Sequence, residues 1–187
     1  MKHRITVREM VYAAAFTAVL AVCSWVSIPG PVPFTLQTFA IAAAITMLGA
    51  RLGGLAVTTW ILLGAVGVPV FSNFNGGAGA LFGVTGGYIL GFLLAAPLYG
   101  LVLRLPGKKI VWQAAGLLTG LIAMYAFGTA WYVVAYARGG GEIGVMAALA
   151  KCVIPFVLPD LAKLTLALIV GRILRPHIRL QAQTSRS

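Results

Sequence analysis

Two charged residues, Asp160 and Lys163, stand in the otherwise apolar run 152–171. A charge at the centre of a membrane helix costs about 2.5–3.5 kcal/mol on insertion scales, so its presence points to a site. Three residues apart, the two share one helix face. Paired, they have no net charge, and part of the insertion cost is returned. Two readings are open: a salt bridge that only locks helix packing, or an acid and a base facing a ligand. Pro155 and Pro159 weigh toward the ligand, because proline removes backbone donors and loosens the helix just before the pair. Irregular backbone at membrane depth is tolerated where it is buried in protein or lines a water-accessible cavity.

Further polar side chains gather at what would be the same level. Thr35, Gln37 and Thr38 open a second apolar segment, and Asn73, Asn75, Thr85 and Tyr88 lie in or just after a glycine-rich stretch. With Trp25, Phe34, Phe71 and Phe82 at the rim, they would make a small-molecule pocket, apolar in its walls with a few placed polar groups. Catalysis lacks its parts. There is no second intramembrane carboxylate, no HExxH and no phosphate-binding glycine loop. Ser24 and Ser27 have no histidine at membrane depth, and use of ATP would need a partner. Cys23 and Cys152 are too few for a metal framework, while His3 and His177 lie in polar tails without a metal partner. The expectation is a binding protein with no cofactor and no metal, and not an enzyme.

The elements that position these residues must be membrane helices. The chain of 187 residues is 60% hydrophobic and only 9% charged, against about 25% charged in soluble domains. Six segments approach the 20 or so apolar residues that a crossing needs: 10–28, 35–49, 52–70, 84–103, 111–137 and 152–171. Glycines inside them, among them Gly49, Gly64, Gly91, Gly116 and Gly120, favour close helix contact in lipid. The first segment also imitates a signal peptide, with Lys2, Arg4 and Arg8 before an apolar core. Val22 stands where a lipoprotein cleavage box wants a small residue, so retention as a helix is expected.

The net charge of +11 is scattered between apolar runs, which argues against nucleic acid. It orients the helices instead. With a cytoplasmic N-terminus, eleven basic residues (Lys2, Arg4, Arg8, Arg51, Arg104, Lys108, Lys109, Arg172, Arg175, Arg179, Arg186) fall inside and two (Arg138, Lys151) outside. Both termini are then cytoplasmic, six crossings fit, and 174–187 is a polar cytoplasmic tail of a single membrane domain. Outside, SIPGPVPF (27–34) is stiffened by three prolines. The loop 71–87, FSNFNGGAGALFGVTGG, has no charge, and its apolar side chains suit a lid over a cavity better than a solvated linker. On the first helix Ala14, Ala18 and Val22 form a stripe of small residues, fit either for packing within this chain or for the helix of a partner.

The strings VPFTLQTFA (32–40), GVPVFSNFNGGAG (67–79), LFGVTGGYILGF (81–92) and PDLAK (159–163) resemble the biotin-specific substrate-binding components of energy-coupling-factor transporters. The likeness runs from about Val11 to Pro176. It implies a six-helix multi-pass protein of the bacterial cytoplasmic membrane, surrounded by lipid, that captures biotin from outside. It also implies partners: a transmembrane coupling protein and two cytoplasmic ATPase subunits. Asp160 and Lys163 would meet the fused ring, the loop around Asn73 and Asn75 would close the site, and Ala14 and Ala18 match the family's helix-contact motif. The ureido ring has two N–H donors and one carbonyl acceptor, which suits an acid beside a base. Two departures are visible: Val84 where the family often has proline, which bears on lid rigidity, and Pro159 where it often has glycine. Another vitamin or a biotin precursor as ligand, a non-transport assembly protein with a structural Asp160–Lys163 pair, and solitary secondary transport are the alternatives.

Overall fold

The computed structural model describes residues 5–30, 32–106 and 109–184, with the side chains of 109, 177 and 179–184 excluded. The expectations attached to Lys2, His3, Arg4, Pro31, Lys108 and Arg186, and to the side chains of Lys109, His177 and Arg179, lie outside the described residues. Most of the rest is helix. The first helix, α1 (Val7–Trp25), begins with a capping box: the Glu9 amide donates to Thr6 Oγ1 at 3.3 Å, and the Thr6 amide donates to Glu9 Oε2 at 2.8 Å. Two otherwise orphaned donors of the first turn are thus satisfied. The helix buries Ala13, Thr17, Leu20, Ala21 and Ser24 and leaves the flanking stripe, Ala14, Ala18 and Val22, exposed. Those small residues are therefore not used for packing within this chain.

The proline-rich connection closes as a two-residue antiparallel hairpin of β1 (Ser27–Ile28) and β2 (Phe34–Thr35), with Ser27 opposite Thr35. It leads into α2 (Gln37–Ala65), which is not one rod. Gly49 has φ 86° and ψ 167°, outside the helical range, a conformation open to glycine. A Cβ placed on Gly53 would stand 2.7 Å from the Ile45 Cα. Eight residues along a straight helix are separated by about 12 Å. The chain therefore doubles back at Gly49, and residues 37–48 and 50–65 lie side by side. The two expected segments 35–49 and 52–70 divide at this turn.

The glycine-rich stretch is partly ordered by itself. A 3-10 turn (Ser72–Phe74) precedes the short α3 (Ala78–Phe82), then α4 (Gly86–Gly91), a second 3-10 turn and α5 (Ala95–Val102). These pack on α6 (Lys109–Arg138) through missing side chains: a Cβ on Gly91 would meet Met124, one on Gly120 would meet Ala95, and one on Gly116 would meet Tyr99. After α7 (Val145–Cys152) comes α8 (Ile154–Thr184), which continues through most of the stretch expected as a polar tail. Both Asp160 and Lys163 ride on α8. Among the described residues, four helices are long and apolar enough to cross a membrane, within 7–25, 37–65, 110–138 and 154–176, and a shorter apolar stretch covers 86–102.

In the core, Trp60 is fully buried, donates from Nε1 to the Val70 carbonyl at 2.9 Å and meets the Phe71 ring edge-on at 5.0 Å. Phe71 fills the notch left by Gly64, where a Cβ would fall 2.0 Å from the ring. This contact draws the start of the glycine-rich loop down onto α2.

Candidate functional site

Asp160 is 3% exposed and Lys163 8%. Lys163 Nζ donates to Asp160 Oδ1 at 2.8 Å, as expected of an i,i+3 pair on one face. The ion pair is held from two further elements. The Tyr125 hydroxyl on α6 donates to Asp160 Oδ2 at 2.6 Å. Lys163 Nζ also donates to the Thr35 carbonyl on β2 at 2.7 Å and sits 3.9 Å from the centre of the Phe34 ring, a cation–π geometry. Phe34 in turn stacks with Phe156 of α8 at 6.0 Å between ring centres. The hairpin is therefore pinned to α8 by a charge-assisted hydrogen bond and by aromatic contact.

The pair does not only clasp itself. Asp160, Lys163 and Tyr125 border a cavity of about 60 Å³ walled also by Gln37, Thr38, Thr85, Tyr88, Phe92 and Cys152. That is room for several waters in polar surroundings. Three valences remain on the pair. An ammonium has three N–H donors, and two of Lys163's have protein acceptors. A carboxylate has about four acceptor sites, and two hydrogen bonds reach Asp160. The arrangement can thus present one donor and two acceptor positions to a guest that is itself both donor and acceptor.

Of the residues singled out from sequence, Gln37, Thr85, Tyr88, Asp160 and Lys163 come together on the cavity wall, and Phe34 reaches it through Lys163. The Tyr88 ring rests on Gly128, where a Cβ would come within 2.2 Å, and its hydroxyl is 3.1 Å from Thr129 Oγ1. Asn73, Asn75 and Phe71 do not line the cavity. Asn73 adopts a left-handed conformation with φ 56°, and its Oδ1 accepts from Ser27 Oγ at 3.0 Å, which fastens the loop to the hairpin instead. Asn75 closes the 3-10 turn through its backbone, and its carbonyl accepts from the Phe71 amide at 3.0 Å. Phe71 is consumed by the core contact with Trp60 and Gly64, and Ser72 takes the wall position beside it.

Sequence reasoning missed Tyr125, Cys152 and Phe156. Phe156 and Cys152 are apolar residues of the same run as Asp160, and nothing in their type distinguishes them from lipid-facing neighbours. Tyr125 had one usable signal, a hydroxyl in the middle of a long apolar stretch, which needs a partner when buried.

The BioY family profile matches residues 1–180. The chain belongs to the BioY family. Among its BioY relatives, the biotin transporter BioY of Thermotoga maritima is 41% identical over 165 residues, covering 88% of this chain and 94% of that protein. The probable biotin transporter BioY of Pyrococcus horikoshii is 36% identical over 178 residues, covering 95% and 98%. The fold agrees: a crystal structure of the S-component for biotin from an ECF-type ABC transporter superposes with a TM-score of 0.80 at 26% identity, covering 94% of this chain and 95% of that one. As a BioY protein the chain is a multi-pass membrane protein and a transporter component, not an enzyme.

Proposed function

We infer that this chain captures biotin within the membrane and is the substrate-binding component of an energy-coupling-factor transporter. The observation that carries the reading is the buried acid–base pair on the wall of a cavity, with an unused donor on Lys163 and unused acceptor positions on Asp160. The ureido ring would donate N–H to Asp160 and accept at its carbonyl from the third Lys163 hydrogen. Tyr125 would act as a positioning residue, holding the Asp160 carboxylate in plane for the ring. Tyr88 and Phe92 would cover the apolar sulfur ring and chain.

The cavity is smaller than the roughly 300–1,000 Å³ of ordinary ligand pockets, so binding requires a wall to move. The hairpin is the element suited to this, since its hold on α8 is the single Thr35 carbonyl bond plus Phe34 packing. A ureido carbonyl offers Lys163 an acceptor of the same kind. The loop 72–82, tied to the hairpin through Asn73 and Ser27, would move with it.

Counting the doubled segment at Gly49 as two and 86–102 as one supports six crossings, and the excess of basic residues supports cytoplasmic termini. The exposed Ala14 and Ala18 stripe would then receive a helix of a transmembrane coupling protein, itself joined to two ATPase subunits. A calorimetric titration of the purified protein tests the reading. One biotin should bind per chain, and a panel of other vitamins should fail to compete. Absence of heat with biotin, or equal competition by an unrelated vitamin, overturns it.

A further inference from the structure

The described lining of the Asp160 cavity holds one acid and one base, and these two neutralise each other. Two of the three ammonium hydrogens of Lys163 already have protein acceptors, and the third is the one a ring carbonyl would take. Biotin also carries a carboxylate at the end of its chain, and that group needs a place of its own. No further cation lines the cavity among the described residues. Lys151, one residue before Cys152 of the wall, is exposed and does not line it. A charge at such an exposed position is worth little to a partner. A carboxylate buried without its counter-charge is costly, so the charged end of the ligand must stay near water.

The wall offers that. Asp160, Lys163, Tyr88 and Phe92 are buried, whereas Val32, Pro33, Ser72 and Thr85, from the hairpin and the loop, are half-buried and make the outer edge. The polar side chains between ring and edge are neutral. Gln37 is 7% exposed, and Gln37, Ser72 and Thr85 have no side-chain hydrogen bond among the described residues. A hydroxyl both donates and accepts, and a side-chain amide has two donors and a carbonyl. A carboxylate can use only the donors of this set. A carboxamide uses donors and acceptors alike.

We infer that charge recognition stops at the fused ring, and that the site binds amides of the biotin chain carboxyl about as well as biotin itself. This rests on the biotin reading above and adds a second ligand class to the same cavity. The chain would leave between Pro33 and Ser72, so that an N-alkyl group on the amide projects toward water.

The full chain in detergent is titrated calorimetrically with biotin, its primary amide and its N-methyl amide. A carboxylate held by charge-assisted bonds in the interior would make the amides about 10- to 150-fold weaker. Both should instead bind within about threefold of biotin. Thr85→Asp places a negative charge at the outer edge, at the N-cap position of α4, where Asp is as suitable as Thr. It should weaken biotin about fivefold by repulsion at the edge and leave the amides nearly unaffected, which also shows that the variant folds. Tight biotin binding with either amide tenfold or more weaker overturns the inference alone. Equal loss of all three ligands in Thr85→Asp overturns the placement of the chain at that edge. Absence of binding by biotin itself removes the reading beneath it.

Discussion

Replacing Lys163 by methionine separates binding from folding. The ammonium makes two hydrogen bonds, to Asp160 and the Thr35 carbonyl, and lies over Phe34. In the bound state it would donate a third bond, to the ligand carbonyl. A hydrogen bond to a charged group is worth about 1.5–3 kcal/mol, and about 1.4 kcal/mol is tenfold in affinity. The dissociation constant for biotin should therefore rise about 10- to 140-fold. The variant should also be less stable, because Asp160 is left buried beside Tyr125 without its counter-charge, an effect of about 3–5 kcal/mol when one partner of a buried pair is removed. Combining Lys163→Met with Asp160→Asn removes the stranded charge. Much of the stability should return while affinity stays low. Calorimetry gives the affinity, and thermal unfolding in detergent gives the stability. Lys163→Met with affinity within threefold of the unaltered chain would refute the role in binding. A double variant less stable than either single one would refute the account of the pair.

Three further outcomes follow. Tyr125→Phe removes the hydroxyl on Asp160 Oδ2 and should raise the dissociation constant about fivefold with helix content unchanged by circular dichroism. Phe71→Ala should lower stability by about 3–5 kcal/mol, since the ring fills the Gly64 notch against Trp60; the folded fraction should bind biotin with near-normal affinity in the same titration. Ala14→Trp, on the exposed face of α1, should leave biotin binding intact but abolish co-purification with the coupling protein.

Charge was the legible part of this site. Asp160 and Lys163 stood out because an ionised side chain in an apolar run demands a partner, and spacing alone assigned each to the other. The turn at Gly49 left a trace as well, an apolar segment, 35–49, shorter than a crossing needs. What stayed hidden depended on which way apolar residues face. Ala14 and Ala18 could have packed inward, and only the structure, which buries the neighbouring Ala13 and Thr17 and leaves these two exposed, shows that they do not. Phe71 seemed suited to a lid because loops without charge invite that reading, yet Gly64, seven residues earlier, holds the notch that captures it. Asn73 and Asn75 carry the right chemistry; in this structure the Asn73 side chain accepts from Ser27, while Asn75 closes the 3-10 turn through its backbone alone. Tyr125 is brought to Asp160 by helix packing across 35 residues of sequence, a contact that no local pattern announces.

The most direct measurement is a structure of the biotin complex. The account predicts the ureido ring between Asp160 and Lys163, each within about 2.7–3.2 Å of a ring polar atom, with the Lys163–Thr35 carbonyl bond kept or lengthened. A ring bound elsewhere, with Asp160, Lys163 and Tyr125 still closed on one another, would contradict it.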